Sequence, residues 1–193
     1  MIFSSNPSFV EIYDNVLTTK ECDILINQFE NSPSRTEGRI FSGDTNQLEV
    51  VSSVKKCMEL PDMQFSNGTI IDSIISTRLQ QSIKKYCLKY PQLQDMCEWK
   101  VDDIYTFKKY ELKDDGYKEW HTEHGPPPTA NRILVWMFYL NNAQSGTDFM
   151  NFSTVSAKRG RCIIWPAFWT HYHRSAANKG LKYIISGWMS YDE

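Results

Sequence analysis

The four histidines of this chain lie in two short groups, His121-Thr122-Glu123-His124 and His171-Tyr172-His173. In an extended chain residues i and i+2 point to the same side, so His121 and Glu123 share a face while Thr122 turns away. His171 and His173 share a face by the same rule. One imidazole-carboxylate pair and one remote imidazole can surround a divalent ion from one side and leave its other positions open for chemistry. That donor set suits a catalytic Fe(II) site, and zinc, nickel or manganese can occupy the same ligands. Spacing alone leaves His171 and His173 equally eligible as the remote ligand.

A lone histidine is more often packed or solvated than a ligand, so the pairing carries the argument. A closed structural zinc site would normally contain thiolates. The five cysteines, Cys22, Cys57, Cys87, Cys97 and Cys162, are scattered with no CxxC. His124 precedes Gly125-Pro126-Pro127-Pro128, a stiff turn that carries the backbone out of the strand, so it is expected at the rim, solvated or touching substrate. Further on, Lys182, Ile184, Ser186 and Trp188 alternate onto one strand face. An ammonium on an inward face needs a partner against the cost of desolvation, and a bound carboxylate is such a partner.

The elements that must hold these residues follow from pattern. At 193 residues, 41% hydrophobic and 13% aromatic, the chain suits one globular domain spanning 1–193. A net charge of -2 gives no broad basic field for nucleic acid, although a basic substrate tail could be attracted locally. An odd number of irregularly spaced cysteines indicates free thiols in a reducing compartment. The opening Met1-Ile2-Phe3-Ser4-Ser5-Asn6-Pro7 has no signal-peptide pattern, and no apolar run is long enough to span a bilayer, so a soluble, cytoplasmic protein is expected. Phe9 to Tyr13 reads as a strand. Thr18 or Thr19, with Glu21, caps a helix whose buried side carries Cys22, Ile24, Leu25, Ile26 and Phe29. A second helix is predicted from Ile70 to Tyr90, with Ile71, Ile74, Ile75, Leu79, Ile83 and Tyr86 inward and lysines toward its end. Residues 32–69 read as loop or short irregular strand. Val101 to Tyr110, Arg132 to Leu140, Arg161 to Trp165 and Leu181 to Trp188 read as strands. Helices followed by strands imply an α+β, mostly β architecture, an antiparallel sandwich with helices on one side.

From Tyr110 to Trp188 the chain resembles the Fe(II)/2-oxoglutarate-dependent dioxygenase superfamily and, within it, the prolyl 4-hydroxylase-like group. The matching pieces are Tyr110, Gly116-Tyr117, Trp120 to Glu123, Arg132 to Asn142, Gly146 to Phe149, Lys158 to Pro166, Thr170 to Arg174 and Lys182 to Trp188. The resemblance implies a double-stranded β-helix, or jelly-roll, core over about 100–190, supported by a strand and helices within about 1–99. It implies Fe(II), 2-oxoglutarate and O2 as cofactor and co-substrates, with ascorbate helpful. The activity it implies is hydroxylation of an unactivated C–H bond, with a peptidyl proline as one substrate class and succinate and CO2 as products. Position by position, His121 and Glu123 match metal ligands, Lys182 and Tyr139 match the residues that hold the distal carboxylate of 2-oxoglutarate, and Tyr110 and Ser186 match groups beside it. The intervals from Gly160 and to Lys182 favour His173 as the distal ligand; the interval from Pro166 fits His171 as the alternative.

Three features depart from that group. Glu123 stands where Asp is more usual, and the turn Ser145-Gly146-Thr147-Asp148-Phe149 is one residue short. Asp148 could then point into the pocket. Trp120, Trp136, Trp165, Phe168 and Trp169 are expected mainly in core and pocket wall, with Trp120 and Trp169 as a candidate platform for a substrate ring. Two other readings stand beside the oxygenase: a non-catalytic jelly-roll that binds metal or ligand in the same pocket, and a cupin-type metalloprotein that uses both His171 and His173.

Overall fold

In the computed structural model the described residues are 8–42, 45, 47–65 and 68–192; the segment 1–7, read above for signal-peptide pattern, lies outside them. The chain order begins with β1 (Glu11–Tyr13), α1 (Thr19–Asn31), β2 (Thr36–Glu37), β3 (Ile40–Ser42), β4 (Gln47–Glu49), β5 (Lys55–Lys56), β6 (Met58–Gln64) and α2 (Ile70–Lys89). It continues with β7 (Trp99–Tyr110), β8 (Gly116–Tyr117), β9 (Arg132–Tyr139), β10 (Gly146–Phe149), β11 (Phe152–Ser156), β12 (Cys162–Pro166), β13 (His173–Ser175) and β14 (Lys182–Tyr191). The main sheet runs β1-β12-β9-β14-β7-β6-β2, and a smaller one runs β11-β10-β13. This is the mostly β jelly-roll with flanking helices that the sequence predicts.

Alternation sorts the main sheet into two faces. Leu134, Trp136 and Phe138 of β9, Tyr105 and Phe107 of β7 and Ile185 of β14 pack with Leu25 and Phe29 of α1 and Ile75, Leu79 and Tyr86 of α2. Burying one such Leu or Phe side chain contributes roughly 1.5–3 kcal/mol, so this helix-covered face makes the scaffold rigid. Val135, Met137 and Tyr139, the intervening residues of β9, join Tyr110, Ile163, Trp165, Ile184 and, from the smaller sheet, Phe149 and Val155 in a second core. The functional residues of β7, β9 and β14 lie on that second face.

Both helices begin as predicted. Thr18 caps α1 in a reciprocal capping box, its hydroxyl accepting from the Glu21 N–H at 3.2 Å while Glu21 accepts from the Thr18 N–H at 2.7 Å. Thr69 caps α2. The first strand is shorter than predicted because Phe9 has φ 56° and leaves extended geometry. Between 32 and 69 the described residues contain five strands, and β6 joins the main sheet against β7. Its alternation is hidden by Pro61 and by a register shift between Leu60 and Met63, where Asp62 has φ 54°. The N-terminal portion thus supplies β1, β2 and β6 to the main sheet as well as the helices that cover it.

At the centre of the sheet Gly187 of β14 pairs with Trp136 of β9. A Cβ on Gly187 would stand 2.6 to 2.9 Å from atoms of the indole, which is tighter than any ordinary contact. Gly187→Ala is expected to cost about 1–3 kcal/mol through overpacking, read from the urea midpoint at unchanged m-value. An unshifted midpoint would show that the Trp136 ring yields freely.

Candidate active site

His121 and His173 face each other in an isolated antiparallel bridge. Each backbone N–H donates to the other's carbonyl at 3.0 Å. The next residues are fixed by one acceptor, the Ala167 carbonyl, which takes the N–H of Glu123 at 3.1 Å, the N–H of His124 at 3.0 Å and the Thr122 hydroxyl. Both imidazoles have Nδ1 against a backbone carbonyl at 3.0 Å, Glu119 for His121 and His171 for His173. A carbonyl can only accept, so Nδ1 carries the proton and Nε2 presents its lone pair. Each Nε2 lies 3.7 Å from Glu123 Oε1, and the three candidate ligand atoms lie within 4.8 Å of one another. At 3.7 Å they do not satisfy one another as hydrogen bonds. Three lone-pair donors converging without a shared proton fit a divalent cation.

The second carboxylate oxygen is clamped. Trp188 Nε1 donates to Glu123 Oε2 at 3.0 Å, and Arg132 approaches the same oxygen at 3.4 Å with its guanidinium stacked 3.6 Å over the Trp188 ring. The clamp turns Oε1 toward the imidazoles and accommodates the extra methylene of Glu over Asp. Burial acts to raise the Glu123 pKa, but the two imidazoles beside it prevail and hold it well below the usual carboxylate range. Burial pushes His173 down. An ionised carboxylate beside a neutral imidazole is the protonation state a metal requires.

These residues line a cavity of about 850 Å³. On the same wall, Lys182 is 2% exposed. Its Nζ donates to Ser145 Oγ at 3.0 Å and the Gly146 carbonyl at 3.3 Å and lies 4.5 Å from the Tyr110 ring centroid. All these partners are uncharged, and burial pushes the ammonium down to about 8. Tyr139, fully buried, shares a 2.6 Å hydrogen bond with Thr147 Oγ1. Burial pushes the Tyr110 and Tyr139 phenols up, so both stay neutral. The Ser186 hydroxyl accepts from Lys108 Nζ at 2.7 Å.

Residues 105–190 match the model of the 2OG-Fe(II) oxygenase superfamily. Comparison with curated proteins finds no match. Among solved structures, the viral collagen prolyl hydroxylase of Paramecium Bursaria Chlorella virus-1, a 2OG complex, is 15% identical with a TM-score of 0.65, over 95% of this chain and 97% of that one. A prolyl hydroxylase from Trichoplax adhaerens, in complex with a hypoxia inducible factor oxygen degradation domain peptide fragment, is 14% identical with a TM-score of 0.70, over 96% and 84%. The alpha ketoglutarate dependent epimerase SnoN of nogalamycin biosynthesis is 14% identical with a TM-score of 0.63, over 95% and 78%. The fold of this chain is therefore similar to that of prolyl hydroxylases, and that fold also serves a different reaction.

The structure gathers His121, Glu123, His173, Lys182, Tyr110, Tyr139 and Ser186 around one cavity. His171 stands apart: Nε2 meets the Ser8 carbonyl at 2.8 Å and Nδ1 meets Thr170 Oγ1 at 2.8 Å. Both ring nitrogens are engaged, and His171 is not among the residues whose ligand atoms converge. His124 is not at the mouth; it bonds the Arg132 carbonyl at 3.1 Å and packs on Phe168. Asp148 turns out of the cavity to accept from Thr154. Trp136 and Trp165 are core, but Trp120 and Trp169 form no platform. Trp120 lies under Arg174, and Trp169 is 73% exposed outside the cavity. Sequence reasoning missed Arg132 and Lys108. Period two from Tyr110 would have put Lys108 on the pocket face, whereas nothing local signals that Arg132 reaches back to Glu123.

One divalent ion per chain is expected by calorimetry with Mn(II). His173→Ala should weaken this binding sharply, leaving a site that fills only at high metal concentration, and His171→Ala should leave it unchanged. Trp188→Phe, which frees Oε2, should weaken it by about 10–100-fold. Loss in the His171 variant with retention in the His173 variant would reverse the assignment.

Proposed function

We propose that this chain is an Fe(II)- and 2-oxoglutarate-dependent hydroxylase that oxidises an unactivated C–H bond and releases succinate and CO2, a peptidyl proline being the first substrate class to test. The observation that carries the reading is the pairing of a bare His-Glu-His triangle with a buried lysine whose hydrogen-bond partners are uncharged, both in one cavity. A metal site alone would not need the lysine.

In this reading His121, Glu123 and His173 hold the metal. When bound, Fe(II) supplies the redox chemistry that couples decarboxylation of the 2-oxo acid to C–H hydroxylation with O2. The protein's own groups bind and orient. Lys182 pairs with the distal carboxylate of the 2-oxo acid, exchanging two neutral acceptors for an anion. Tyr110, beneath the ammonium, and Tyr139, through its hydroxyl, complete that end and stay protonated as donors. Arg132 and Trp188 keep Glu123 from rotating. Val135, Met137 and Ile184 give the cavity apolar walls, which exclude water and strengthen each polar contact. Ascorbate would assist by returning oxidised iron to Fe(II).

Fe(II)-loaded protein should form succinate from 2-oxoglutarate slowly without substrate and faster with a prolyl peptide; His121→Ala should abolish both. A protein that binds metal and 2-oxoglutarate but yields no succinate with any substrate would be a binding jelly-roll instead.

The Lys182 ammonium also fixes a pH dependence. Its pKa, pushed by burial down to about 8, must rise when a carboxylate binds, so binding takes up protons near pH 8. The Kd for 2-oxoglutarate should be level below about pH 7 and rise roughly tenfold per pH unit above about 8. Lys182→Arg should flatten that slope. An equal slope in both proteins would place the titrating group elsewhere.

A further inference from the structure

Among the described residues, each lysine and arginine that lines the cavity has a carboxylate within 4.0 Å except Lys182 and Lys108. Lys55 and Glu59, 7% and 3% exposed, form an ion pair at 2.6 Å. Arg132 answers Glu123, and Lys182 is assigned above to the diacid. Lys108 remains. Its Nζ donates to the uncharged Ser186 hydroxyl at 2.7 Å, and no ion pair joins it to a carboxylate among the described residues.

Its place in the wall says which ligand it would meet. On β14, Lys182, Ile184, Ser186 and Trp188 succeed one another along the pocket face, and Lys108 of β7 pairs in register with Ile184. Ser186, to which Lys108 is anchored, thus lies four residues, about 13 Å, from Lys182 on one side and two residues, about 7 Å, from the Trp188 that grips Glu123 on the other. The cation sits between the diacid end and the metal end. Asp62, Asp102 and Asp103 line the cavity beside Arg39, Lys100 and Arg174, so no field of one sign draws anions in and the selection Lys108 makes is local. Burial, and then the charge of Lys55, pushes the Lys108 ammonium down against the opposing pull of Glu123 and Glu59.

We infer that Lys108 is a substrate-recognition residue, and that the substrate carries a carboxylate close to the C–H bond that reacts. This rests on the oxygenase reading above. An internal proline of a neutral peptide has no such group; an amino acid with a free carboxylate has one.

The test uses full-length protein loaded with Mn(II) and saturated with N-oxalylglycine, an inert stand-in for the 2-oxo acid, so that the metal and Lys182 are already engaged. Paired probes, N-acetyl amino acids and their primary amides, with proline among them, are titrated by calorimetry. At least one acid should bind about tenfold or more tightly than its amide, the scale of one charge-assisted hydrogen bond. Lys108→Met should erase that preference, Lys108→Arg should restore it, and affinity for N-oxalylglycine should be the same in all three proteins. Equal responses to acid and amide in every pair, including no response to either, would overturn the inference. So would a Lys108→Met protein that loses N-oxalylglycine affinity, because Lys108 would then serve the co-substrate. Failure of wild type to bind N-oxalylglycine at all would sink the underlying oxygenase reading, and this inference with it, at a separate and earlier step.

Discussion

Two reciprocal backbone hydrogen bonds between His121 and His173 hold the rest of the site in register. They join the loop that follows β8 to the start of β13 and set two imidazoles on one side, their ring centroids 4.3 Å apart. Side-chain packing alone would leave that spacing adjustable, but an antiparallel bridge fixes the Cα separation to within a few tenths of an ångström. Two residues on, the Ala167 carbonyl holds Glu123 in the same frame. Each metal-facing atom is then aimed by a second contact: a carbonyl behind each imidazole, and Trp188 with Arg132 behind the carboxylate.

The wall beside this triangle is costly for a fold. Lys55, Lys108 and Lys182 all project from or toward a sheet whose opposite face is a close-packed apolar core, and among the described residues only Lys55 of the three is ion-paired with a carboxylate. Uncompensated buried charge destabilises a protein. A chain can retain such charges when the helix-covered face supplies the stability and the ligands supply the missing partners. The distribution of cost and support across the two faces of one sheet follows from the period-two alternation of β7, β9 and β14.

That alternation is also why so much was legible in the sequence. The caps at Thr18 and Thr69, the inward faces of both helices and the long strands depend on local pattern, and they lie where pattern puts them. The pairing of His121 with Glu123 is equally local. The choice of His173 over His171 came from a family spacing and not from local pattern, because what removes His171 is a hydrogen bond to Ser8, 163 residues away in the chain. Strand β6 was obscured by a proline and a bulge, and the smaller sheet by strands of five residues or fewer. Arg132 was legible only as the first residue of a strand; its reach to Glu123 depends on how a proline-rich turn folds back. Trp120 and Trp169 failed as a platform because an aromatic next to a ligand in sequence need not face the cavity that the ligand faces.

The central claim is that two imidazoles and one carboxylate, all from this chain, surround a single divalent ion. X-ray absorption at the metal edge of the Fe(II)-loaded protein counts those ligands directly. The account predicts scattering from two imidazoles, with the remaining coordinating atoms being oxygen, and loss of one imidazole in His173→Ala but not in His171→Ala. Three imidazoles in the wild-type spectrum, or an unchanged count in His173→Ala, would contradict it.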